Sequence, residues 1–481
     1  MSTPTTTLTF SPFVRVEGDL RVEVDVADGL VVSARVAGTL YRGFERLLRG
    51  RPAMDALAIV PRICGTCSLS HAAAAAAALR SVAPVDVPRN GLLARAVMLA
   101  AETVLNHLAH FYLSFAPGLA APDGPHAPVE RFAAMTGSAQ AGALAARRAL
   151  LPVLGLFAGK WPNSLALQPG GSTRPLDASE MLRALSAVQA LTDFVERRLL
   201  GDRAAAWLEL RGDADLLRWL EAPAHRESDL GAFLGAALER GLDRLGRGPG
   251  AYLSVGGCET VEGRPWLRPG FFDGELHEVA LERITEHVKH SWFESERSGA
   301  HPSEASTVPA PEREDAYSWA KAPRYGGRPV ETGPLARMIC DGDPLVGDVV
   351  AVRGPGVLAR MLARLHETVR LVVQLRRWIH DVDPAEPFCR PTELPASGAG
   401  WGAVEAPRGT LVHWTRFADG RITDYQIVTP TGWNFSPRDD ADVPGPAESA
   451  LVGVPAAGLG ASPKVMHVVR SFDPCLYCSV H

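Results

Sequence analysis

Two pairs of cysteines with the same spacing are the residues of this sequence best suited to metal chemistry. Cys64 and Cys67 form a Cys-x-x-Cys pair near the N-terminus, and Cys475 and Cys478 form a second pair at the C-terminus. Two intervening residues let both sulfurs of a pair converge on one metal ion, and Gly65 gives the first pair the backbone freedom that the turn needs. Thiolates suit soft or borderline metals such as zinc, nickel and iron. If the two pairs meet in the folded chain, they form a site of four thiolates.

The residues around the first cysteine pair help to indicate which metal the cysteines would bind. Cys67 begins a predicted alanine-rich helix, where the helix dipole favours a thiolate. His71 follows four residues later and projects from the same helix face. A structural zinc ion held by four cysteines is the alternative, and the residues alone leave it open. Structural zinc pairs usually lie within a few dozen residues of each other, whereas these pairs lie at opposite ends of the chain.

Composition excludes several classes of protein. The chain has 481 residues, with 49 basic against 54 acidic residues, so no concentrated basic surface for a nucleic acid is expected. The cysteine count of 7 is odd, which argues against a disulfide framework. No apolar run approaches the roughly 18–20 residues that span a bilayer, and the N-terminus lacks the pattern of a signal peptide. We expect a soluble cytoplasmic chain that a partner alone could bring to a membrane or export.

The hydrophobic pattern predicts an α+β fold, with a large helical body and small antiparallel sheets. Alternating apolar residues predict one hairpin at 20–36, turning at 27–29, and another at 409–428, turning at Asp419-Gly420. Helices are predicted at 68–81 and from 90 to about 115. Further helices are predicted at about 130–157, 178–200, 203–221, 230–245, 275–292 and 356–380. We expect one integrated domain over 1–481, with a β-hairpin region at about 10–45, a helical body at about 50–400 and a C-terminal β and metal-binding region at about 400–481.

Several motifs together resemble those of one protein family. Arg62-Ile-Cys-Gly-Thr-Cys-Ser-Leu-Ser-His71 and Asp473-Pro-Cys-Leu-Tyr-Cys-Ser-Val-His481 are similar to the two metal-binding signatures of nickel–iron hydrogenase large subunits. The resemblance covers essentially the whole chain. Its further segments, in chain order, are Arg15–Gly18, Tyr41–Glu45, Asn106–Tyr112, Lys321–Tyr325, Gly333–Arg337, Glu405–Gly409 and Trp433–Asp439.

The resemblance implies a nickel–iron centre held by the four cysteines. Cys64, Cys67, Cys475 and Cys478 would bind nickel, and Cys67 and Cys478 would also bridge to an iron that carries cyanide and carbon monoxide. Cys475 matches the terminal thiolate that accepts a proton when dihydrogen is split. Glu17 matches a carboxylate that relays this proton, and a buried carboxyl there has a raised pKa. Without the resemblance, Glu17 is interpreted as a surface carboxylate at the start of a strand.

The resemblance also assigns residues around the cofactor. Arg408, which follows Pro407, matches an arginine above the metals that offsets negative charge and donates to a cyanide ligand. Asp473 would orient this arginine. Without the resemblance, both are turn residues. Asn106 stands where many members carry an aspartate, which removes one charge near Arg408. We expect Pro407, Asp473, His71 and Asn106 to line the cofactor.

A second metal site is implied at the C-terminus. Glu45, His481 and the backbone carbonyl of Ile427 match the ligands of a magnesium or similar cation. Glu45 supplies the hard oxygen that magnesium prefers. A histidine ligand would also hold the last residue of the chain in place.

The function implied is H₂ ⇌ 2H⁺ + 2e⁻. The three remaining cysteines, Cys258, Cys340 and Cys389, are too few and too scattered for an iron–sulfur cluster, so an iron–sulfur small subunit is expected to take the electrons. Such heterodimers could form a higher oligomer. The alternatives are a hydrogen sensor of the same fold that signals to a kinase, a relative without the metal centre, which the intact cysteines oppose, and the four-cysteine zinc protein.

Overall fold

A computed structural model describes residues 5–121, 126–258, 264–456 and 462–481. A helical body with five small sheets makes up the described part of the chain, and every strand pairing within these sheets is antiparallel. The prediction of a helical body with small antiparallel sheets is therefore confirmed. Buried apolar residues from Phe13 to Leu476 belong to one hydrophobic cluster, so both ends of the chain pack on the same core.

The strands form short meanders and hairpins. Their bounds are β1 Thr6–Phe10, β2 Leu20–Ala27, β3 Leu30–Gly38, β4 Leu167–Gln168, β5 Gly171–Ser172, β6 Tyr252–Ser254, β7 Gly270–Phe272, β8 Leu276–His277, β9 Ile284–His287, β10 Ala322–Tyr325, β11 Gly398–Ala406, β12 Gly409–Ala418 and β13 Arg421–Val428. The sheets have the strand orders β1-β2-β3, β4-β5, β6-β7-β8, β10-β9 and β11-β12-β13.

The helices supply most of the core. Their bounds are α1 Phe44–Leu48, α2 Ala56–Ile59, α3 Ser68–Val82, α4 Arg89–Ala109, α5 Ser138–Ala158, α6 Ala178–Phe194, α7 Ala204–Trp207, α8 Asp213–Glu221, α9 Pro223–Arg226, α10 Asp229–Glu239, α11 Pro334–Asp341, α12 Pro344–Arg353, α13 Val357–His380, α14 Pro430–Asn434, α15 Pro446–Leu451, α16 Pro463–Ser471 and α17 Leu476–Ser479. Wide π-helical turns extend α4 over His110–Phe115 and α6 over Val195–Leu200. Helix α4 packs on α5 and α13, and α6 packs on both of these.

Both predicted hairpins are confirmed. Strands β2 and β3 pair through a turn in which Asp28 and Gly29 have positive φ values of 50° and 76°. Strand β2 alternates between buried and half-buried residues, as its apolar period of two predicts. The second hairpin joins β12 to β13 through Asp419 and Gly420, also at positive φ.

Glycines bring the unpredicted strand β11 against α3. Gly398, Gly400 and Gly402 occupy alternate positions of the strand, and a Cβ on Gly402 would lie 2.2 Å from the carbonyl oxygen of Ala74. The alanine-rich face of α3 therefore packs directly on the backbone of β11, because neither element has a large side chain at the contact. Helix α3 begins beside Cys67, so this packing also fixes one wall of the metal centre.

Three predicted helices differ from the structure. The segment 275–292 is not a helix, because Ile284–His287 alternates in burial and pairs with β10. The helix predicted from about 130 begins at Ser138, and the one predicted at 203–221 is divided into α7 and α8. In each case the segment contains the apolar residues that the prediction used. Their spacing, or the position at which the helix breaks, was predicted wrongly.

In the described part of the chain, two helices are long and apolar enough to cross a membrane by length and composition alone, although neither is an uninterrupted apolar run. The first covers Arg89–Ala120 and is 89% buried over its most apolar window, as expected of a core helix. The second is α5, of which only 44% of that window is buried. Scattered charged residues interrupt the apolar run in both helices. Their mean hydropathy nevertheless stays high enough for a membrane-spanning helix.

Candidate metal centre

The two cysteine pairs meet in the core. The sulfur of Cys64 lies 3.5 Å from that of Cys475, and the sulfur of Cys67 lies 3.4 Å from that of Cys478. The sulfurs of Cys475 and Cys478 are 3.3 Å apart. All four side chains are buried and none forms a disulfide. Residues from opposite ends of the sequence thus form the four-sulfur cluster that the resemblance implies.

Two helix starts hold the sulfurs in place. Cys67 precedes α3, and Cys475 precedes α17. The N-terminal segment lies beside the second pair: the amide of Leu476 donates to the carbonyl of Glu17 at 2.7 Å, and the amide of Glu17 donates to the carbonyl of Pro474 at 3.3 Å. The hydroxyl of Thr431 accepts from the amide of Cys475 at 3.0 Å. The C-terminal pair is therefore held by segments from both ends of the chain.

Glu102, on α4, holds the first turn of α3. Its carboxylate accepts from the amides of Leu69 and Ser70 at 2.9 and 3.0 Å, from the hydroxyl of Ser70 at 2.8 Å, and from the indole of Trp161 at 3.0 Å. These bonds satisfy amides that a helix N-terminus leaves without partners. Sequence reasoning missed this residue, because one glutamate inside an apolar helix pattern gives no sign of its partners.

The electrostatics of the cluster favour a bound cation. The other three cysteines donate toward Cys64 and hold the pKa of its thiol well below its usual range. The pKa of Cys478 lies well above its usual range, because its thiol donates to Cys475 and Cys64 and is buried. Four thiolates therefore require a positive metal charge among them. The donor set fits nickel, iron or zinc equally by softness.

Arg408 lies beside the cluster. Its Nε is 3.1 Å from Oδ1 of Asp473, and its terminal nitrogen donates to Oδ1 of Asn106 at 3.2 Å and to the hydroxyl of Thr66 at 3.3 Å. Burial alone lowers an arginine pKa, but Asp473 and the cysteines raise the pKa of Arg408 well above its usual range. The guanidinium is thus a fixed positive charge at the edge of four sulfurs. Asn106, a neutral side chain, thus presents an oxygen to Arg408.

The other residues expected around the cofactor lie at different depths. Glu17 is half-buried; burial raises the pKa of its carboxyl, while Arg408 lowers it. His71 groups with Cys67 and Cys478, and its Nδ1 lies 3.2 Å from Nε2 of the buried His413. Burial lowers the pKa of His71 to about 3, so the imidazole is neutral.

Pro407 and Asp473 differ in what they contact. The carbonyl of Pro407 accepts from Arg337 at 3.0 Å, and its contact with a cofactor stays a prediction. Asp473, at a positive φ of 58°, also lies 3.6 Å from Arg364, so it bridges two arginines. Burial opposes its ionisation, but Arg408 and the other nearby cations hold the pKa of Asp473 at about 2.

Of the residues expected to bind a second cation, Glu45 and His481 converge, Ile427 reaches Glu45 through its amide, and the role of its carbonyl as a ligand stays a prediction. Nε2 of His481 lies 3.3 Å from Oε1 of Glu45, and that oxygen accepts from the amide of Ile427 at 2.9 Å. Lys321, which sequence reasoning did not place here, lies 3.5 Å from Glu45 and 3.3 Å from Glu286. Burial opposes the ionisation of Glu45, but Lys321 and His481 hold its pKa at about 2. Glu45 is therefore a charged oxygen donor in a small buried cavity.

Comparison with known proteins decides between the metals that this donor set allows. A family model described as nickel-dependent hydrogenase matches residues 42–116 and 233–481, more than half of the chain. The chain belongs to the nickel-dependent hydrogenases. The large subunit of the periplasmic [NiFeSe] hydrogenase of Desulfomicrobium baculatum is 30% identical over 98% of this hydrogenase and 94% of that protein. The Hydrogenase-2 large chain of Escherichia coli K12 is 29% identical over 98% of this chain and 97% of its own.

Solved structures agree with this assignment. The Ni-Fe-Se hydrogenase of D. vulgaris Hildenborough superposes with a TM-score of 0.85 at 30% identity, over 99% of this hydrogenase and 100% of that chain. The Dm. baculatum [NiFeSe] hydrogenase gives a TM-score of 0.84 at 30% identity. The predicted family, the α+β fold class and the enzyme class are confirmed, and the zinc protein and the metal-free relative are set aside. A nickel–iron centre is the metal group that fits the four cysteines of this hydrogenase.

Proposed function

We propose that this chain is the large subunit of a hydrogenase that catalyses H₂ ⇌ 2H⁺ + 2e⁻ at the four-cysteine cluster. One observation carries the proposal: four buried sulfurs from both ends of the chain meet beside Arg408, and the backbone of Glu17 pairs with that of Cys475. Cys64, Cys67, Cys475 and Cys478 would hold the nickel, and Cys67 and Cys478 would also hold an iron with cyanide and carbon monoxide ligands. The bound metals would supply the redox chemistry of dihydrogen.

Two residues of this chain would accept and transfer the proton that is released when dihydrogen is split. The sulfur of Cys475 accepts it when dihydrogen is split, and Glu17 passes it toward solvent. Burial raises the pKa of Glu17, which brings it closer to neutral and suits a group that both accepts and releases a proton. Glu17 is half-buried and pairs through its backbone with the fully buried Cys475, so its carboxyl is the more exposed of the two groups. Arg408 offsets the negative charge of the thiolates and would donate to a cyanide ligand of a bound iron.

Electrons leave through a partner. Outside the four-cysteine cluster, the described residues include Cys258, Cys340 and Cys389, which lie apart from one another and from the cluster. Tyr477, between the second pair of cysteines, is exposed, and so is Gly65, between the buried Cys64 and Cys67, so the cluster lies near the surface at the Gly65 turn. We propose that an iron–sulfur small subunit binds at this face and that such heterodimers could assemble further.

The second site would hold magnesium or a similar cation. Glu45 and His481 supply side-chain ligands and Ile427 a carbonyl, while Lys321 and Glu286 would contact the coordinated water. The ion would fix the last residue against α1 and so hold Cys478, three residues earlier, in position.

The direction and location proposed are hydrogen uptake by a cytoplasmic enzyme. One relative is named an uptake hydrogenase large subunit, from Rubrivivax gelatinosus, at 26% identity. Another is named periplasmic, so the location depends on the partner. Fractionation of the native host separates the two: the chain in the soluble cytoplasmic fraction supports the proposal, and the chain in the periplasm contradicts it.

Dye reduction under hydrogen tests the activity. We expect the purified heterodimer to reduce viologen with H₂ and to contain nickel. Cys475→Ser should abolish this activity, because serine lacks a sulfur that accepts the proton. Cys340→Ser is the matched control, since Cys340 is equally buried but lies outside the cluster. A protein that contains zinc and reduces no dye, or a Cys475→Ser variant with full activity, would contradict the proposal.

A further inference from the structure

Arg408 lies on a very short loop between two strands. Strand β11 ends at Ala406 and β12 begins at Gly409, and these two residues pair, so Pro407 and Arg408 form a two-residue hairpin loop. Loops of this length usually have a positive φ at one or both loop residues, because that twist matches the flanking strands. Neither Pro407 nor Arg408 has a positive φ. Contacts from outside the hairpin must therefore help to hold this loop, which we call the Arg408 loop.

The start of α11 packs against the Arg408 loop. A Cβ on Gly409 would lie 2.6 Å from the amide nitrogen of Gly333, and a Cβ on Gly333 would lie 2.9 Å from the carbonyl oxygen of Arg408. Both glycines also have positive φ values, of 134° and 119°. Glycine at these two positions lets the two backbones come into contact. Helix α11 begins at Pro334, so its first turn brings Arg337 beside the loop.

Arg337 directs all of its donors to this junction. Its Nε and Nη2 donate to the two carboxylate oxygens of Glu367 at 2.6 and 2.7 Å. Its Nη1 donates to Oε2 of Glu405 and to the carbonyl of Ala406, both at 2.9 Å, and its Nη2 donates to the carbonyl of Pro407 at 3.0 Å. A guanidinium has five N–H donors, so each of them has an acceptor here.

Two buried carboxylates hold Arg337 in place. Glu367, on α13, also has Oε2 at 2.8 Å from Nε2 of His107 on α4. Glu405, at the end of β11, also accepts from the hydroxyl of Thr410 at 2.7 Å. Burial alone lowers the pKa of an arginine, but Glu367 and Glu405 raise the pKa of Arg337 above its usual range. The guanidinium is thus a permanent positive charge that connects two helices of the core to the Arg408 loop.

The network has a geometric consequence for the metal centre. Buried ion pairs are poor evidence of stability, because desolvation of the charges offsets much of their attraction. Arg337, however, binds the carbonyls of the two residues that immediately precede Arg408. The Arg408 side chain then reaches Asp473 and Asn106 at 3.1 and 3.2 Å. Any shift of the loop would move the Arg408 guanidinium relative to the four sulfurs, and a misplacement of about 1 Å can lower a rate about a hundredfold.

We propose that Arg337 is a positioning residue that fixes the Arg408 loop, and with it the Arg408 guanidinium, beside the four-cysteine cluster. The proposal rests on the proposed function, in which Arg408 offsets the charge of the thiolates and donates to a cyanide ligand. Arg337 acts through Arg408, since its five donors go to Glu367, Glu405 and the loop and none is left for a metal ligand.

Infrared spectroscopy of the purified heterodimer tests the position of Arg408, because a cyanide stretch changes with the hydrogen bond that the cyanide accepts. Arg337→Lys keeps the charge but offers only three donors, so at least two of the five hydrogen bonds are lost. The cyanide bands should move in the same direction as in Arg408→Lys. Glu405→Gln, which removes one charged acceptor of Arg337, should move them in that direction by less.

Arg324→Lys is the matched control. Arg324 is also buried, pairs with Asp439 at 2.8 Å and donates to three backbone carbonyls, but none of these contacts is with the Arg408 loop or the cluster. Arg324→Lys should therefore lower the melting temperature about as much as Arg337→Lys does and leave the cyanide bands in place.

A double-mutant cycle separates positioning from stability. With viologen reduction as the assay, Arg337→Lys should lower kcat by about ten- to a hundredfold. In the Arg408→Lys background the same substitution should lower kcat by less than about twofold, because the group that Arg337 positions has already been replaced.

Several outcomes would overturn the proposal. One is a set of cyanide bands that stays in place in both Arg337→Lys and Glu405→Gln; if Arg337→Lys does not fold, Glu405→Gln alone decides. Others are independent, multiplying losses of kcat in the double-mutant cycle, and a band shift in Arg324→Lys as large as that in Arg337→Lys. A wild-type heterodimer without cyanide bands would show that the proposed function itself has failed, whereas wild-type bands that no variant but Arg408→Lys moves would reject the role of Arg337 alone.

Discussion

Removal of the Thr66 hydroxyl tests how the cluster's surroundings act on its sulfurs. The hydroxyl of Thr66 lies 3.2 Å from the sulfur of Cys64 and accepts from Arg408 at 3.3 Å. Because it accepts from Arg408, its own proton is free to donate to the sulfur of Cys64, which is a thiolate when it holds a metal. Thr66→Val removes this donor and keeps the side-chain shape. The carbonyl of residue 66 still accepts from Asn106, and Asn106 still accepts from Arg408.

The expected effect is a shift in redox potential. A hydrogen bond to a thiolate withdraws negative charge and stabilises the more reduced, more negative state of the site. Its loss is worth about 1–2 kcal/mol, which is about 40–90 mV for a one-electron couple. The midpoint potential of the nickel should therefore fall by this amount in Thr66→Val. Thr66→Ser keeps a hydroxyl and should restore most of it.

Redox titration of the purified heterodimer, followed by the nickel signals in electron paramagnetic resonance, measures this shift. Nickel content and thermal stability serve as controls, since the substitution removes no metal ligand and creates no cavity. A Thr66→Val protein with full nickel content and an unchanged or higher midpoint potential would refute the hydrogen bond to Cys64. So would equal shifts in Thr66→Val and Thr66→Ser.

Three further predictions concern stability. Burial lowers the pKa values of His107, His110 and His467 to about 4, 3 and 3, so each is neutral in the folded state but takes up a proton at about 6.5 when unfolded. The free energy of unfolding should thus be highest above pH 6.5 and fall by up to about 2 kcal/mol for each histidine between pH 6.5 and 5. In His467→Gln, melting scans should show a smaller fall of the melting temperature with falling pH. An unchanged dependence on pH would count against this. Gly402→Ala should destabilise the folded protein by about 1–3 kcal/mol, because the added Cβ pushes β11 away from α3, and it should lower both the melting temperature and the nickel content. Gly347→Ala is the control, since a Cβ there meets open space, and should change neither. Equal effects of the two substitutions would contradict the packing argument. Glu102→Gln should destabilise the folded protein by about 3 kcal/mol or more, because the NH₂ of the amide would face two of the four donors that the carboxylate accepts from. A melting temperature within a degree of the wild type would show that the first turn of α3 does not depend on the carboxylate.

Much of the metal centre follows from local sequence patterns. The Cys-x-x-Cys spacing predicts each pair, and the resemblance predicts that the pairs meet beside Arg408. The period of two in β2 and the Asp-Gly turns predict both hairpins. These features depend on neighbours in sequence or on complete motifs, so the chain alone reveals them.

The features that were missed depend on distant partners. Strand β11 has glycines that give it no hydrophobic period, and its pairing with β12 and packing on α3 make it a strand. The segment 275–292 has enough apolar residues for a helix, but pairing of β9 with β10 determines its conformation. Lys321 and Glu102 act through contacts with residues far away in sequence, Glu45 and the start of α3. No pattern within their own segments encodes those contacts.

Infrared spectroscopy of the purified heterodimer tests the central claim most directly. The cyanide and carbonyl stretches of a nickel–iron centre fall in a region where protein does not absorb. We expect bands in that region that shift when hydrogen is added, and that are missing from Cys478→Ser, which removes one of the sulfurs proposed to hold the iron. The absence of such bands from the wild-type protein, with zinc found by elemental analysis, would contradict the account and leave only the family relationship.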